Sequence, residues 1–153
     1  MKLIFATKNS GKTRELSKAL EETEFKVESL INQRTEAAPE TGSSFLENAL
    51  IKCKSVAETT GTPTIADDSG LVVPALNGRP GIYSARYSGP EASDEENIQK
   101  LIQEMRSISD RRAYFFCCLV FMVSSDDPFP IFAQGLWKGE ILDTPAGSGG
   151  FGY

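Results

Sequence analysis

Apolar residues form short runs and helical spacings that alternate through the first half of the chain. The run in "KLIFAT" predicts a buried strand. "GKTRELSKALEE" follows, with Leu16, Ala19 and Leu20 at helical spacing. The chain therefore opens as strand, tight loop, helix. "FKVESL" predicts a second strand, and "INQRTEAAPETGSS" a loop. In "SFLENALIKCKSVAETTG" the residues Leu46, Ala49, Leu50, Cys53 and Ala57 share one helical face, and Gly61 ends the helix. "TPTIADDSGLVVPAL" predicts strand, turn, strand, and "NGRPGIYSARYSGPEAS" a long glycine- and proline-rich loop.

"SDEENIQKLIQEMRSI" opens with Ser93 and Glu96 as a capping box and puts Ile98, Leu101, Ile102 and Met105 on one face. "AYFFCCLVFMV" is apolar at both alternating sets of positions, which predicts a central strand covered on both sides. "SSDDP" is a turn, "FPIFAQGLWKGEIL" one or two further strands, and "PAGSGGFGY" a glycine-rich loop. Early alternation followed by clustered strands predicts an α/β domain with a mixed sheet.

Composition narrows the chemistry. The 153 residues are 40% hydrophobic and 24% charged, the balance of one soluble globular domain. No apolar stretch is long enough to span a membrane, and the N-terminus lacks a signal-peptide pattern, so a cytoplasmic location is expected. Cys53, Cys117 and Cys118 have no metal-ligand spacing and read as reduced, buried thiols. The net charge of −5 disfavours a surface that tracks nucleic-acid phosphates, but leaves room for a small anion in a local basic pocket. There is no histidine, which removes the usual general base and zinc ligand. Acid–base work falls to Asp, Glu, Lys or Tyr. A metal held by oxygen ligands favours magnesium or manganese.

Several stretches carry candidate chemistry. "ATKNSGKT" is a loop entering a helix, where backbone amides favour an anion and Lys8 and Lys12 add charge. Gly11, Lys12 and Thr13 fit a P-loop, but Ala6 stands where its first glycine belongs. Glu47 either projects toward a metal or water, or caps its helix with Ser44. Lys52 is either solvated or reaches toward phosphate. "ADDSG" is good turn chemistry, yet it ends an apolar run. A carboxylate drawn out of water there suits a metal ligand or a general base. Arg79 and Arg86 frame either a plain loop or a basic lid over an anion. The rings of "GGFGY" offer a stacking surface for a flat base, or a frayed end.

Together, "TKNSGK", "ETGSSFLENALIK", "ADDSGLVVPALNGRPGIYSARYSG" and "GSGGFGY" resemble the inosine/xanthosine triphosphate pyrophosphatase family, also called Ham1-like. The resemblance covers essentially the whole chain in the family's order. It implies an elongated mixed sheet with flanking helices, two lobes around a central cleft, and a homodimer. It implies a magnesium-dependent hydrolase that converts ITP, dITP and XTP to monophosphates and pyrophosphate; from the charge and the lack of an apolar span, no nucleic-acid or membrane partner is expected. A P-loop-like phosphotransferase and a non-catalytic nucleotide-binding module are the alternatives. By the resemblance, Thr7, Lys8, Asn9, Ser10, Gly11 and Lys12 line the phosphate site and Lys52 contacts the triphosphate. Glu40 and Asp68 serve the metal. Asp68 also accepts the proton of the attacking water, and Asp67 supports it. Ser69 touches substrate, and Phe151, Gly152 and Tyr153 begin the base-binding segment. The family continues past "FGY" with an Asp-Pro, a lysine and a Ser-His-Arg, so residues 1–153 are expected to be one domain lacking that C-terminal segment.

Overall fold

The computed structural model describes residues 1–32, 35–147 and 153. In chain order its elements are β1 (Lys2–Phe5), α1 (Ser10–Ala19), β2 (Lys26–Ser29), α2 (Phe45–Thr60), β3 (Thr64–Val72), α3 (Asp94–Met105), β4 (Arg112–Met122) and β5 (Ile131–Glu140). Short 3₁₀ turns lie at Leu30–Asn32, Pro74–Leu76 and Gly81–Arg86. The five strands form one sheet in the order β2-β1-β3-β4-β5. β1 pairs in parallel with both β2 and β3. The short link from Met122 to Ile131 leaves no room for a crossover, so β4 and β5 run antiparallel. The Cys53 thiol donates to the carbonyls of Thr64 (3.2 Å), at the start of β3, and Val120 (3.5 Å), near the end of β4. β3 and β4 therefore also run antiparallel, and the sheet is mixed as expected.

Local chemistry explains the helix ends. Asn9, Ser44 and Ser93 cap α1, α2 and α3 with side-chain oxygens that accept backbone N–H groups. Ser93 and Glu96 complete the expected capping box. Gly61 ends α2 in the left-handed region at φ 59°, which glycine adopts without steric cost.

Three expectations change. "ADDSG" is not a turn, because β3 runs unbroken from Thr64 to Val72. Gly70 serves there as a point of close approach: a Cβ would sit 2.4 Å from the Gly81 carbonyl oxygen and 2.5 Å from the Ser84 hydroxyl. β4 is not central. It lies one strand from the edge, with Ala113, Cys118, Val120 and Met122 buried and most of its remaining residues only half-buried. "GIYSAR" is a 3₁₀ helix rather than irregular loop. "FPIFAQGLWKGEIL" supplies one strand, β5, which is exposed along its whole length.

The chain divides into two compact units, one of residues 1–68 and 118–134, the other of residues 69–117 and 135–153. In the first, Ile4, Ala6, Leu30, Ala49, Cys53, Val56, Ala66, Val120 and Met122 form the core. In the second, Leu71, Val73, Leu76, Tyr87, Leu101, Met105 and Ala113 do so. All three cysteines are free thiols; Cys53 and Cys118 are buried and Cys117 is half-buried. No helix among the described residues is long and apolar enough to cross a membrane.

Candidate functional site

The first unit gathers most of the expected residues. β1 ends at Phe5 and delivers the chain into the loop before α1. That loop is pinned: Ala6 N–H donates to the Ile65 carbonyl (2.8 Å), and the Thr7 carbonyl accepts from Leu30 N–H (3.1 Å). Within it, Thr7 Oγ1 accepts from Asn9 N–H (3.1 Å), and Asn9 Oδ1 accepts from Lys12 N–H (3.0 Å). Ser10 and Gly11 form the first turn of α1, where helical N–H groups and the dipole favour an anion. Lys8 is exposed and pairs with Glu36.

The two aspartates resolve their own repulsion through strand geometry. Successive strand residues point to opposite faces. Asp67 takes the Lys12 ammonium at 2.5 Å, while Asp68 Oδ2 accepts from Asn48 Nδ2 at 2.9 Å. Both carboxylates are buried, at 3% and 6% exposure. A buried charge needs a partner or hydrogen-bond donors, and each has found one on a different helix, α1 and α2.

Glu40 accepts from Lys52 Nζ at 2.7 Å, so the expected metal carboxylate and the expected phosphate lysine face each other. Asn48 and Lys52 lie one turn apart on α2 and hold Asp68 and Glu40 respectively. Glu47 is exposed, and its Oε2 accepts from Ser43 N–H and the Ser43 hydroxyl. These bonds hold its carboxyl below the ordinary value, and capping accounts for it. Asn48 escapes the sequence reading. Its only signal is an amide beside the apolar stripe of a helix, where a buried polar group must be hydrogen-bonded.

Ser69 follows Asp68 in β3 and opens the second unit. Tyr153 also lies there, packed against the second core, with its hydroxyl donating to the Ser84 carbonyl at 3.1 Å. Burial pushes its phenol upward. Phe151 and Gly152 lie outside the described residues. In the same unit Arg79 pairs with Glu104 (3.0 Å), and the Arg86 guanidinium sits over the Tyr83 ring. Asn97 fastens the "GIYSARYSG" segment to α3, accepting from Ser88 N–H (2.7 Å) and donating to the Ala85 carbonyl (3.1 Å).

Known proteins resemble this chain in sequence and in fold. The chain is 51% identical to the dITP/XTP pyrophosphatase of Vibrio cholerae, over 99% of the chain and 77% of the relative. It is 46% identical to that of Escherichia coli K12, over 99% and 78%. A solved HAM1 protein from Coxiella burnetii superposes with a TM-score of 0.93 at 41% identity, covering 100% of this chain and 79% of that one. A solved nucleoside-triphosphatase / dITP/XTP pyrophosphatase from Mycobacterium abscessus gives 0.82 at 40%, covering 100% and 81%. The Ham1 family model matches residues 3–153, a span that takes in the loop before α1, both buried aspartates and Lys52. On that match and these identities, the chain belongs to the Ham1 family.

Proposed function

We propose that this chain hydrolyses non-standard purine nucleoside triphosphates (ITP, dITP and XTP) to the monophosphate and pyrophosphate, with magnesium as the metal. The observation that carries the reading is the meeting of a lysine-bearing helix-start loop with two buried carboxylates on one strand, at Lys12, Asp67 and Asp68. The names of the relatives support the substrate class.

The residues present fit a hard divalent cation. Glu40 and Asp68, the carboxylates assigned to the metal, offer only oxygen ligands. Among the described residues no group of three or more acidic, cysteine or histidine side chains gathers as a metal cage. Magnesium commonly takes one or two carboxylates and completes its shell with water and substrate phosphates. Glu40 and Asp68 would hold it, and bound there it would offset the charge of the phosphates.

The chain's own residues do the rest. Lys8, Lys12, Lys52 and the amides opening α1 bind the triphosphate. Lys12 and Lys52 pair with Asp67 and Glu40, and phosphate oxygens take over as their partners when substrate binds. Asp68 accepts a proton from water. The water oxygen bonds to phosphorus at the α–β anhydride, and the bridging oxygen leaves with the other phosphoryl group. Ser69 and the segment Phe151, Gly152 and Tyr153 contact sugar and base. The same reading treats residues 1–153 as one pyrophosphatase domain, working as a homodimer in the cytoplasm.

Chromatographic identification of products from ITP and magnesium tests this. IMP and pyrophosphate are expected. Inosine diphosphate with orthophosphate would favour the P-loop-like reading and overturn this one. Light scattering tests the dimer.

A further inference from the structure

We infer that Asn48 is the positioning residue of this site, one buried amide that orients Asp68 and anchors the loop carrying Glu40. The inference rests on the roles proposed above for those two carboxylates.

Asn48 is fully buried, at 0% exposure. Its two ends have separate tasks. Nδ2 donates to Asp68 Oδ2 at 2.9 Å, and Oδ1 accepts from Gly42 N–H at 2.8 Å. The amide thus ties β3 to the loop that holds Glu40 two residues before Gly42. The loop lies so close that a Cβ at Gly42 would stand 2.8 Å from Asn48 Oδ1 and 2.6 Å from Glu47 Cβ. Lys52, one turn further along α2, takes the Glu40 carboxylate itself. One helical face therefore fixes both carboxylates relative to each other. Only an amide presents a donor and an acceptor in this shape. An isosteric carboxylate offers acceptors alone, and an apolar residue offers neither. Geometry of this kind matters because small displacements of a reacting group lower turnover steeply.

The two bonds separate by mutation. Asn48→Asp keeps an acceptor for Gly42 N–H but loses the donor to Asp68 and sets a like charge against it. Asn48→Ala loses both. The expected result for Asn48→Asp is a kcat for ITP hydrolysis lowered by about tenfold or more, with KM within about threefold, because the phosphate-binding groups are untouched. Hydrogen exchange at the Gly42 amide, measured without metal or nucleotide, should stay slow in this variant and become at least about tenfold faster in Asn48→Ala. If Asn48→Ala does not fold, Asn48→Ser, with its shorter side chain, replaces it and should also accelerate Gly42 exchange. A folded Asn48→Asp protein with kcat within about twofold of the parent overturns the role toward Asp68. Unchanged Gly42 exchange in the truncated variant overturns the anchor. Asp68→Asn, assayed in parallel, separates the two levels. Full turnover in that variant would remove the proposed role of Asp68 and with it the catalytic half of this inference, while the exchange measurement still decides the anchor.

Discussion

Asp67 and Asp68 differ by one position and by the helix whose side chain meets each of them. Asp67 answers a cation on α1, and Asp68 an amide on α2. The Asn48 amide orients the Asp68 carboxylate, and the Lys12 ammonium offsets the charge of Asp67. Asp68→Asn should therefore lower turnover by roughly 100-fold or more, the scale of a lost general base. The fold should persist, because the new side-chain oxygen still accepts from Asn48 Nδ2. Asp67→Asn should cost less, since Lys12 stays within reach of phosphate. Initial rates of pyrophosphate release, with circular dichroism as the check on folding, measure both. A larger loss for Asp67→Asn would mean that the two roles are exchanged.

At the scale of elements, α2 and α3 do related jobs with different residues. α2 turns Asn48 and Lys52 toward the acidic groups, and α3 turns Asn97, Lys100 and Glu104 toward the segment from Arg79 to Ser88. Asn97 bonds Ser88 N–H and the Ala85 carbonyl, Lys100 Nζ donates to the Tyr87 carbonyl at 2.6 Å, and Glu104 accepts from Tyr87 and Arg79. These three positions follow helical spacing, so a single stripe of α3 holds the segment. Asn97 is buried and both of its partners are backbone groups. Asn97→Ala leaves those groups without it and should destabilise the protein by about 1–3 kcal/mol. Urea unfolding measures the loss, and limited proteolysis should cut first between Arg79 and Ser88. An unchanged midpoint would show that Lys100 and Glu104 suffice.

For the whole molecule, weak acids that burial shifts upward set a limit at alkaline pH, and Cys53 and Tyr87 are two of them. Burial pushes the Cys53 thiol from 9.0 up to about 12. Burial, and then the Glu104 carboxylate that accepts its hydroxyl, push the Tyr87 phenol from 10.0 up to about 12. One lies in each unit. Raised folded values mean that the folded chain keeps protons the unfolded chain gives up. The stabilisation is complete below about pH 9 and is lost as pH rises toward 12. Urea midpoints should fall between pH 7 and about pH 10.5, and Tyr87→Phe should make the decline shallower. A midpoint that holds steady across that range would contradict this.

The sequence by itself determined what depends on near neighbours. Capping side chains, apolar spacing and Gly61 specify the three helices, and the motif blocks specify the family and the stretches that carry its charge. Such signals act within a few residues, so they survive without knowledge of the fold. Tertiary structure alone decided the rest. It ran β3 straight through "ADDSG", because the two carboxylates found partners on opposite faces and Gly70 was needed for a close contact rather than a bend. It moved β4 away from the centre of the sheet, a placement that depends on strand order and not on the strand's own apolar residues. It gave Glu47 to capping and drew the unremarked Asn48 between Asp68 and Gly42. Those outcomes are set by hydrogen bonds between residues far apart in the chain, and no local pattern encodes which buried amide will meet which carboxylate.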